Sequence, residues 1–250
     1  MHHVADVFLV FHREWISEFL LRWGHVVAGV VWIGLLYYFN FVQVPAFNEL
    51  DAGARNQAVD KLASRALWWF RWGAMATLGF GILILAVGKE YQQASYWKSY
   101  EGIAISTGML LAVTMFANVW LVIWPNQKKV IANARNVLAG GEADPDAPAA
   151  GRKALLASRQ NAIFSFTMLF FMVGTAHFMG QAFTGEPKGG ARAIYWIITI
   201  VLWAALEVKA LGVGGAKPGG LNWMYDDHKR AIGVGLALVV VWYVLFVVIL

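Results

Sequence analysis

The sequence predicts an all-α integral membrane protein, a bundle of six transmembrane helices. Of its 250 residues, 59% are hydrophobic and only 14% are charged, whereas soluble domains average about 25% charged residues. Six stretches also approach or exceed the roughly 20 apolar residues that a helix needs to cross a bilayer. Helices are predicted because lipid offers no hydrogen-bond partner to an open sheet edge. We treat residues 1–250 as a single transmembrane domain.

Proline, glycine and aromatic residues mark the ends of the predicted spans. Pro45 is predicted to end the first span and Pro125 the third, because proline interrupts a helix; Gly185 to Pro187 are predicted to end the fourth. Trp and Tyr gather near the span ends, as expected of an interfacial belt. The six predicted spans are about 15–44, 67–88, 101–124, 161–184, 191–212 and 229–250.

The distribution of Lys and Arg predicts the orientation. Of these residues, 12 lie in the connections after the first, third and fifth spans and at the start of the last span. Only 5 lie on the opposite side of the membrane. The positive-inside rule then places both termini outside, in the periplasm of a bacterium, with the protein multi-pass in the inner (cytoplasmic) membrane. Polar residues such as Asp6 and Glu14 interrupt the first apolar run, so we expect it to be retained rather than cleaved as a signal peptide.

The longest connection, about residues 126–160, is predicted to be a flexible cytoplasmic loop. Its flanks, 127–138 and 151–159, are candidates for cytoplasmic extensions of the third and fourth helices. The formal charge of +5 sits in such connections, so it indicates membrane orientation and no nucleic-acid partner. The chain has no cysteine, which excludes thiolate metal sites and covalent CxxCH haem attachment.

Two histidines within spans are the candidate site. An ionisable residue inside a membrane is by default a functional-site hypothesis. His25 lies roughly 15 Å from the outer end of the first span and His177 roughly 10 Å from that of the fourth, at 1.5 Å per residue. Two imidazoles at matching depth suit the axial ligation of haem iron in a b-type haem. Arg22 lies on the same helical face as His25 and is a candidate partner for a haem propionate.

Other interpretations of these residues remain open. One alternative is that the two histidines form interhelical hydrogen bonds and bind no cofactor. Likewise, Arg22 is in this alternative an interfacial residue whose side chain extends towards water. Nearby glycines, including Gly24 and Gly174, leave room for a flat macrocycle or for close helix packing. Met168, Met172 and Met179 bracket His177, which fits a copper site or an ordinary buried stripe.

Two further polar stretches are notable. Asn118, in the third span, is predicted to hydrogen-bond between helices, with a quinone or substrate contact as the alternative. Ser158 or Asn161 is a candidate cap for the fourth helix.

Several of these stretches resemble the membrane domain of the bacterial urate hydroxylase (PuuD) family. The resemblance rests on 25–34 (HVVAGVVWIG), 69–72 (WFRW), 161–177 (NAIFSFTMLFFMVGTAH) and, most specifically, 118–129 (NVWLVIWPNQKK). It implies a membrane protein that oxidises urate to 5-hydroxyisourate and passes electrons to a C-terminal cytochrome c domain. The 250 residues contain no such domain, and the first intracellular connection is short, so electron transfer would need a separate acceptor. The early His-x3-Gly-x2-Trp pattern is also similar to HemJ-type protoporphyrinogen oxidases and CopD-like copper proteins.

The leading hypothesis is a b-haem membrane redox protein, an oxidoreductase with His25 and His177 as axial ligands of the iron. It would oxidise urate or a similar small substrate and pass electrons to a separate cytochrome c or quinone. The alternatives are a non-catalytic subunit of a larger respiratory or photosynthetic complex and a copper or small-solute permease. The last is disfavoured because the spans show no paired broken helices.

Overall fold

The computed structural model describes residues 19–250, and in this range it is helical, with no β-strand. Six helices are long and apolar enough to cross a membrane, which confirms the predicted all-α class. The predicted start of the first span at residue 15, and His2, His3 and His12, lie outside the described residues. The six helices are α1 (Leu21–Glu49), α2 (Ala52–Val87), α3 (Tyr100–Leu138), α4 (Ala147–Ala182), α5 (Gly189–Ala210) and α6 (His228–Ile249).

Three of these helices extend well beyond their predicted membrane spans. Helix α2 begins at Ala52, where the Asp51 carboxylate accepts a hydrogen bond from the Ala54 amide at 2.9 Å and so caps the first turn. Helix α3 continues to Leu138 and α4 begins at Ala147, so both flanks of the predicted loop are helical. Only residues 139–146 connect the two, a much shorter loop than the predicted 126–160.

Pro45 and Pro125 do not end helices, contrary to the prediction. Each lies two residues after the end of a π-helical segment, Tyr38–Gln43 before Pro45 and Asn118–Ile123 before Pro125. Proline normally breaks a helix because it lacks an N–H and its ring clashes with the carbonyl four residues earlier. A π-helical segment widens the turn and shifts its hydrogen bonds to the residue five positions back, which accommodates the ring. The sequence alone does not reveal this local widening.

Helix α4 occupies the centre of the bundle. It packs most extensively against α3 and α6 and also contacts α1 and α5. Its side chains at Ile163, Phe164 and Phe171 are fully buried. Helix α1 packs mainly against α2, where the absence of a side chain at Gly73 permits close approach: a Cβ there would lie 3.2 Å from the Trp32 amide nitrogen.

Ion pairs and a stacked arginine join the helices at the end that the charge distribution predicts to be cytoplasmic. Arg135 of α3 binds Asp60 of α2 at 2.5 Å, and Arg152 of α4 binds Asp226, before α6, at 2.6 Å. The guanidinium of Arg71 lies 3.4 Å from the ring centre of Trp124, a cation–π contact between α2 and α3.

Candidate functional site

His25 is oriented by the neighbouring helix α2. Its Nδ1 atom lies 2.9 Å from the main-chain oxygen of Thr77. Because a carbonyl oxygen can only accept, Nδ1 must carry the hydrogen, and in the neutral ring the lone pair is then on Nε2. Within the described residues Nε2 makes no hydrogen bond. A backbone carbonyl that fixes the tautomer in this way is the usual support of a metal-binding histidine.

Close to His25, Gly81 of α2 provides the space for the ring. A Cβ built at Gly81 would lie 3.3 Å from Cε1 of His25, tighter than most real contacts. The room at Gly24, by contrast, is filled: a Cβ there would lie 2.6 Å from Cζ of Phe80. Gly24 therefore serves close helix packing, the second of the two interpretations of these glycines.

Arg22 lies one turn before His25 and at the wall of a cavity. Its Nη2 donates to the Glu90 carboxylate at 3.1 Å and to the Tyr91 hydroxyl at 3.3 Å. The cavity has a volume of about 260 Å³ and lies among α1, α3, α4 and the connection between α2 and α3. We call it the polar cavity. It is lined by Arg22, Glu90, Tyr91, Tyr96, Glu101, Ile105, Met172, Thr175 and Ala176.

Most residues that line the polar cavity have side chains that can form hydrogen bonds. Tyr96 lies in the connection before α3 and is partly buried. Its burial, with the nearby acidic groups, raises the pKa of the Tyr96 hydroxyl well above its ordinary value. The hydroxyl therefore remains neutral and able to donate at physiological pH. A cationic guanidinium, carboxylates and neutral hydroxyls together suit a small ligand that carries both N–H and C=O groups.

His177 lies beside the same cavity without lining it. It belongs to a π-helical segment, Thr175–Met179, that interrupts the end of α4, and its side chain is exposed. Its neighbours Thr175 and Ala176 line the cavity that Arg22 also lines. In the described part of the chain no hydrogen bond joins His177 to His25, whose bonded partner is α2.

The methionines near His177 are mostly packed in the core. Met179 is fully buried and Met168 is 5% exposed, so both belong to the buried stripe interpretation. Among residues 19–250, no group of three or more His, Cys, Asp or Glu side chains is arranged to hold a metal ion.

A second polar site lies deeper along α4, between α3, α4 and α5. The Asn118 amide donates to Asn161 Oδ1 at 3.0 Å, and the Asn161 amide donates to the Met115 carbonyl at 2.9 Å. The prediction that Asn118 hydrogen-bonds between helices is therefore confirmed. Asn118 also lies close to the carboxyl group of Glu207 on α5. Neither Ser158 nor Asn161 caps α4, because both lie well inside this helix.

The second polar site extends towards the segment before α6. The Tyr225 hydroxyl donates to Gln160 Oε1 at 2.7 Å and approaches the Leu206 carbonyl at 3.3 Å. Sequence reasoning missed Glu207 and placed Arg159 on the cytoplasmic flank 151–159, the candidate extension of the fourth helix. Arg159 is in α4 but only 2% exposed, and Glu207 is 7% exposed. The available signal was a single acidic residue inside an otherwise apolar span, which marks a functional-site candidate.

These features define a multi-pass helical membrane protein with two polar sites inside its bundle. Residues 95–209 match a family described as urate oxidase N-terminal. The match supports a relationship to a urate oxidase-related family. It includes Asn118, Asn161, His177 and Glu207 but not α1, which carries Arg22 and His25. Comparison with curated proteins and with solved structures gave no significant match.

Proposed function

We propose that this protein is a membrane oxidoreductase related to urate oxidase, with one haem b held by His25 and His177. It would oxidise urate or a similar small substrate and pass electrons to a separate cytochrome c or quinone. The hydrogen bond from His25 Nδ1 to the Thr77 carbonyl carries the proposal, because it leaves the Nε2 lone pair available to a metal. The family match over residues 95–209 supports the substrate class.

His25, His177 and Arg22 fit a bound haem to different degrees. His25 has a fixed tautomer and an unbonded Nε2, and the exposed side chain of His177 is accessible to a ligand. Arg22 already pairs with Glu90, so a propionate would share its guanidinium with that carboxylate. A bound haem would supply the one-electron chemistry, and His25 and His177 would hold its iron within the apolar bundle.

The polar cavity is the proposed substrate site. A purine such as urate presents N–H donors and carbonyl acceptors around a flat ring. Glu101 and Glu90 are acceptors for the N–H groups, and the Tyr96 and Tyr91 hydroxyls and Arg22 are donors for the carbonyls. These groups would orient the substrate beside Thr175 and Ala176, within one or two residues of His177.

The test of the haem is a visible spectrum of the purified protein, oxidised and reduced with dithionite. We expect a Soret band and a reduced α-band from stoichiometric haem. His25→Ala and His177→Ala should each lose the haem or turn it high-spin, whereas His228→Ala, beside α6, should not. Absence of haem from protein expressed with a haem supply would contradict the proposal and favour the non-catalytic subunit of a larger complex.

The test of the substrate is anaerobic addition of urate to the oxidised protein. We expect urate-dependent reduction of the haem bands, with Glu101→Gln slower by roughly 10-fold or more, since a hydrogen bond to a charged group contributes about 1.5–3 kcal/mol. Haem that urate does not reduce would contradict the substrate assignment and leave the ligand assignment intact.

A further inference from the structure

The feature that the proposed function does not use is the carboxyl group of Glu207. It lies in the last turn of α5 and is 7% exposed. Its Oε2 atom is buried and has no hydrogen-bond partner in the described part of the chain. An ionised carboxylate with an unsatisfied oxygen in a low-dielectric interior costs several kcal/mol.

The groups that surround Glu207 supply no compensating charge. From α3 it meets the neutral amide of Asn118, and from α4 the neutral amides of Gln160 and Asn161 lie in the same polar site. Arg159, also on α4, is buried with Nε and Nη1 unbonded in the described residues, and the acidic group close enough to act on its charge is Asp227, not Glu207. Lys209, on α5 itself, donates to the carbonyls of Val213 and Gly215. No ion pair of Glu207 lies within residues 19–250.

Polar groups adjoin Glu207 on the side of the segment before α6. The Tyr225 hydroxyl, itself buried, donates to Gln160 Oε1 and approaches the carbonyl of Leu206, the residue before Glu207. The next residue after Tyr225 is Asp226, whose partly exposed carboxylate binds Arg152 and the Gly219 amide. The last turn of α5 therefore places the Glu207 carboxyl beside the polar α5–α6 end of the bundle.

We propose that Glu207 is a proton-exchange site within the membrane bundle, which takes up and releases a proton at the α5–α6 end. The bound form is the carboxylic acid, and release leaves the carboxylate, with the proton passed to solvent water on that side. The proposal does not depend on the presence of haem.

Infrared spectroscopy of the full chain in lipid nanodiscs tests this proposal directly. We expect the wild type minus Glu207→Gln difference to contain the C=O stretch of a protonated carboxyl. That band should shift in D2O and give way to carboxylate bands as the pH rises from about 5 to about 9. Glu186→Gln, which removes an exposed carboxyl and leaves Glu207 in place, is the matched control, and its spectrum should keep the Glu207 band. A Glu207 band that is absent at every pH, or that neither exchanges nor titrates, would overturn the proposal.

One further variant keeps the test informative if Glu207→Gln does not fold. Asn118→Leu keeps the carboxyl but removes the polar amide beside it, so the C=O frequency should change; an unchanged band would contradict the assignment to Glu207.

Discussion

At the scale of single residues, the orientation of the His25 ring is set by two features of α2, a main-chain carbonyl and a glycine, neither of which is a reactive group. The Thr77 carbonyl receives the Nδ1 hydrogen, and Gly81 leaves space beside the ring. Supports of this kind fix the orientation of a metal ligand, and their loss typically lowers metal affinity 10- to 100-fold. The geometry around His25 therefore makes Gly81 a sensitive position.

We expect Gly81→Ala to displace the imidazole and thereby to lower the affinity for the proposed haem on the order of 10-fold. A Cβ at Gly81 would come within 3.3 Å of the ring, so His25 must move by a few tenths of an ångström. Gly79→Ala is the matched control, because a Cβ there meets nothing within 4 Å. Haem titration of the apoprotein measures the effect, and equal affinity in the two variants would contradict it.

Sequence reasoning recovered some of these residues and not others, for physical reasons. A histidine in an apolar span and an asparagine in α3 are conspicuous, and Asn118 does bond across helices. The partner of His25 is a main-chain oxygen, which every residue possesses, so no pattern of side chains can reveal it. Glu207 stands two residues before Lys209 at the end of a span, where charged residues commonly reach the interface; only tertiary packing shows that it is buried.

At the scale of helices, the positions of the spans were predictable and the ends of the helices were not. Long apolar runs indicate segments that cross the membrane, and all six predicted runs lie in helices. Proline, glycine and aromatic residues were interpreted as span ends, but α2, α3 and α4 continue past the apolar runs. Their extensions are held by contacts between distant residues, such as Arg135 with Asp60, that only the folded chain brings together.

At the start of α3, the neighbouring backbone leaves no room for a side chain at Gly102. A Cβ at Gly102 would lie 1.9 Å from the Tyr96 carbonyl oxygen, so Gly102→Ala must push the preceding connection away from α3. We expect a loss of about 1–3 kcal/mol, typical of overpacking. Gly190→Ala, in the first turn of α5 with open space around it, should be neutral. Thermal unfolding in detergent compares the two, and similar melting temperatures would show that the connection adapts freely.

The start of α6 depends on a charged cap. The amides of Lys229 and Arg230 donate to Asp227 Oδ1 at 2.8 and 3.1 Å. Since capping contributes about 1 kcal/mol, Asp227→Ala should destabilise the protein by about that amount, and Asp227→Asn much less because asparagine also caps.

The Asp227 cap should also be sensitive to acid. The hydrogen bond from the Arg230 amide lowers the pKa of the Asp227 carboxyl in the folded protein. A lowered folded pKa means that the ionised group stabilises the fold above the unfolded pKa of about 3.9, and that this contribution disappears as the pH falls through the folded value. Unfolding midpoints measured from about pH 7 to about pH 3 should therefore show wild type converging on Asp227→Asn in acid. A constant gap across this range would contradict the role of the charge.

At the scale of the whole molecule, the two polar sites belong to different ends of the bundle. Asn161 and His177 are 16 residues apart on α4, which corresponds to roughly 24 Å along a helix axis. The polar cavity is next to the α2–α3 connection, and Glu207 is next to the α5–α6 connection. If both proposals hold, oxidation and proton exchange take place towards opposite sides of the membrane.

The orientation that assigns these sides can be tested with single cysteines, because the natural chain has none. Glu142→Cys lies in the exposed α3–α4 connection and Thr184→Cys in the exposed α4–α5 connection, at opposite ends of α4. The excess of Lys and Arg on the α3–α4 side predicts that this side is cytoplasmic. An impermeant maleimide applied to intact spheroplasts should therefore label Thr184→Cys at once and Glu142→Cys only after permeabilisation. The reverse labelling pattern would show that the bundle has the opposite orientation, and that Glu207 exchanges its proton with the other side of the membrane.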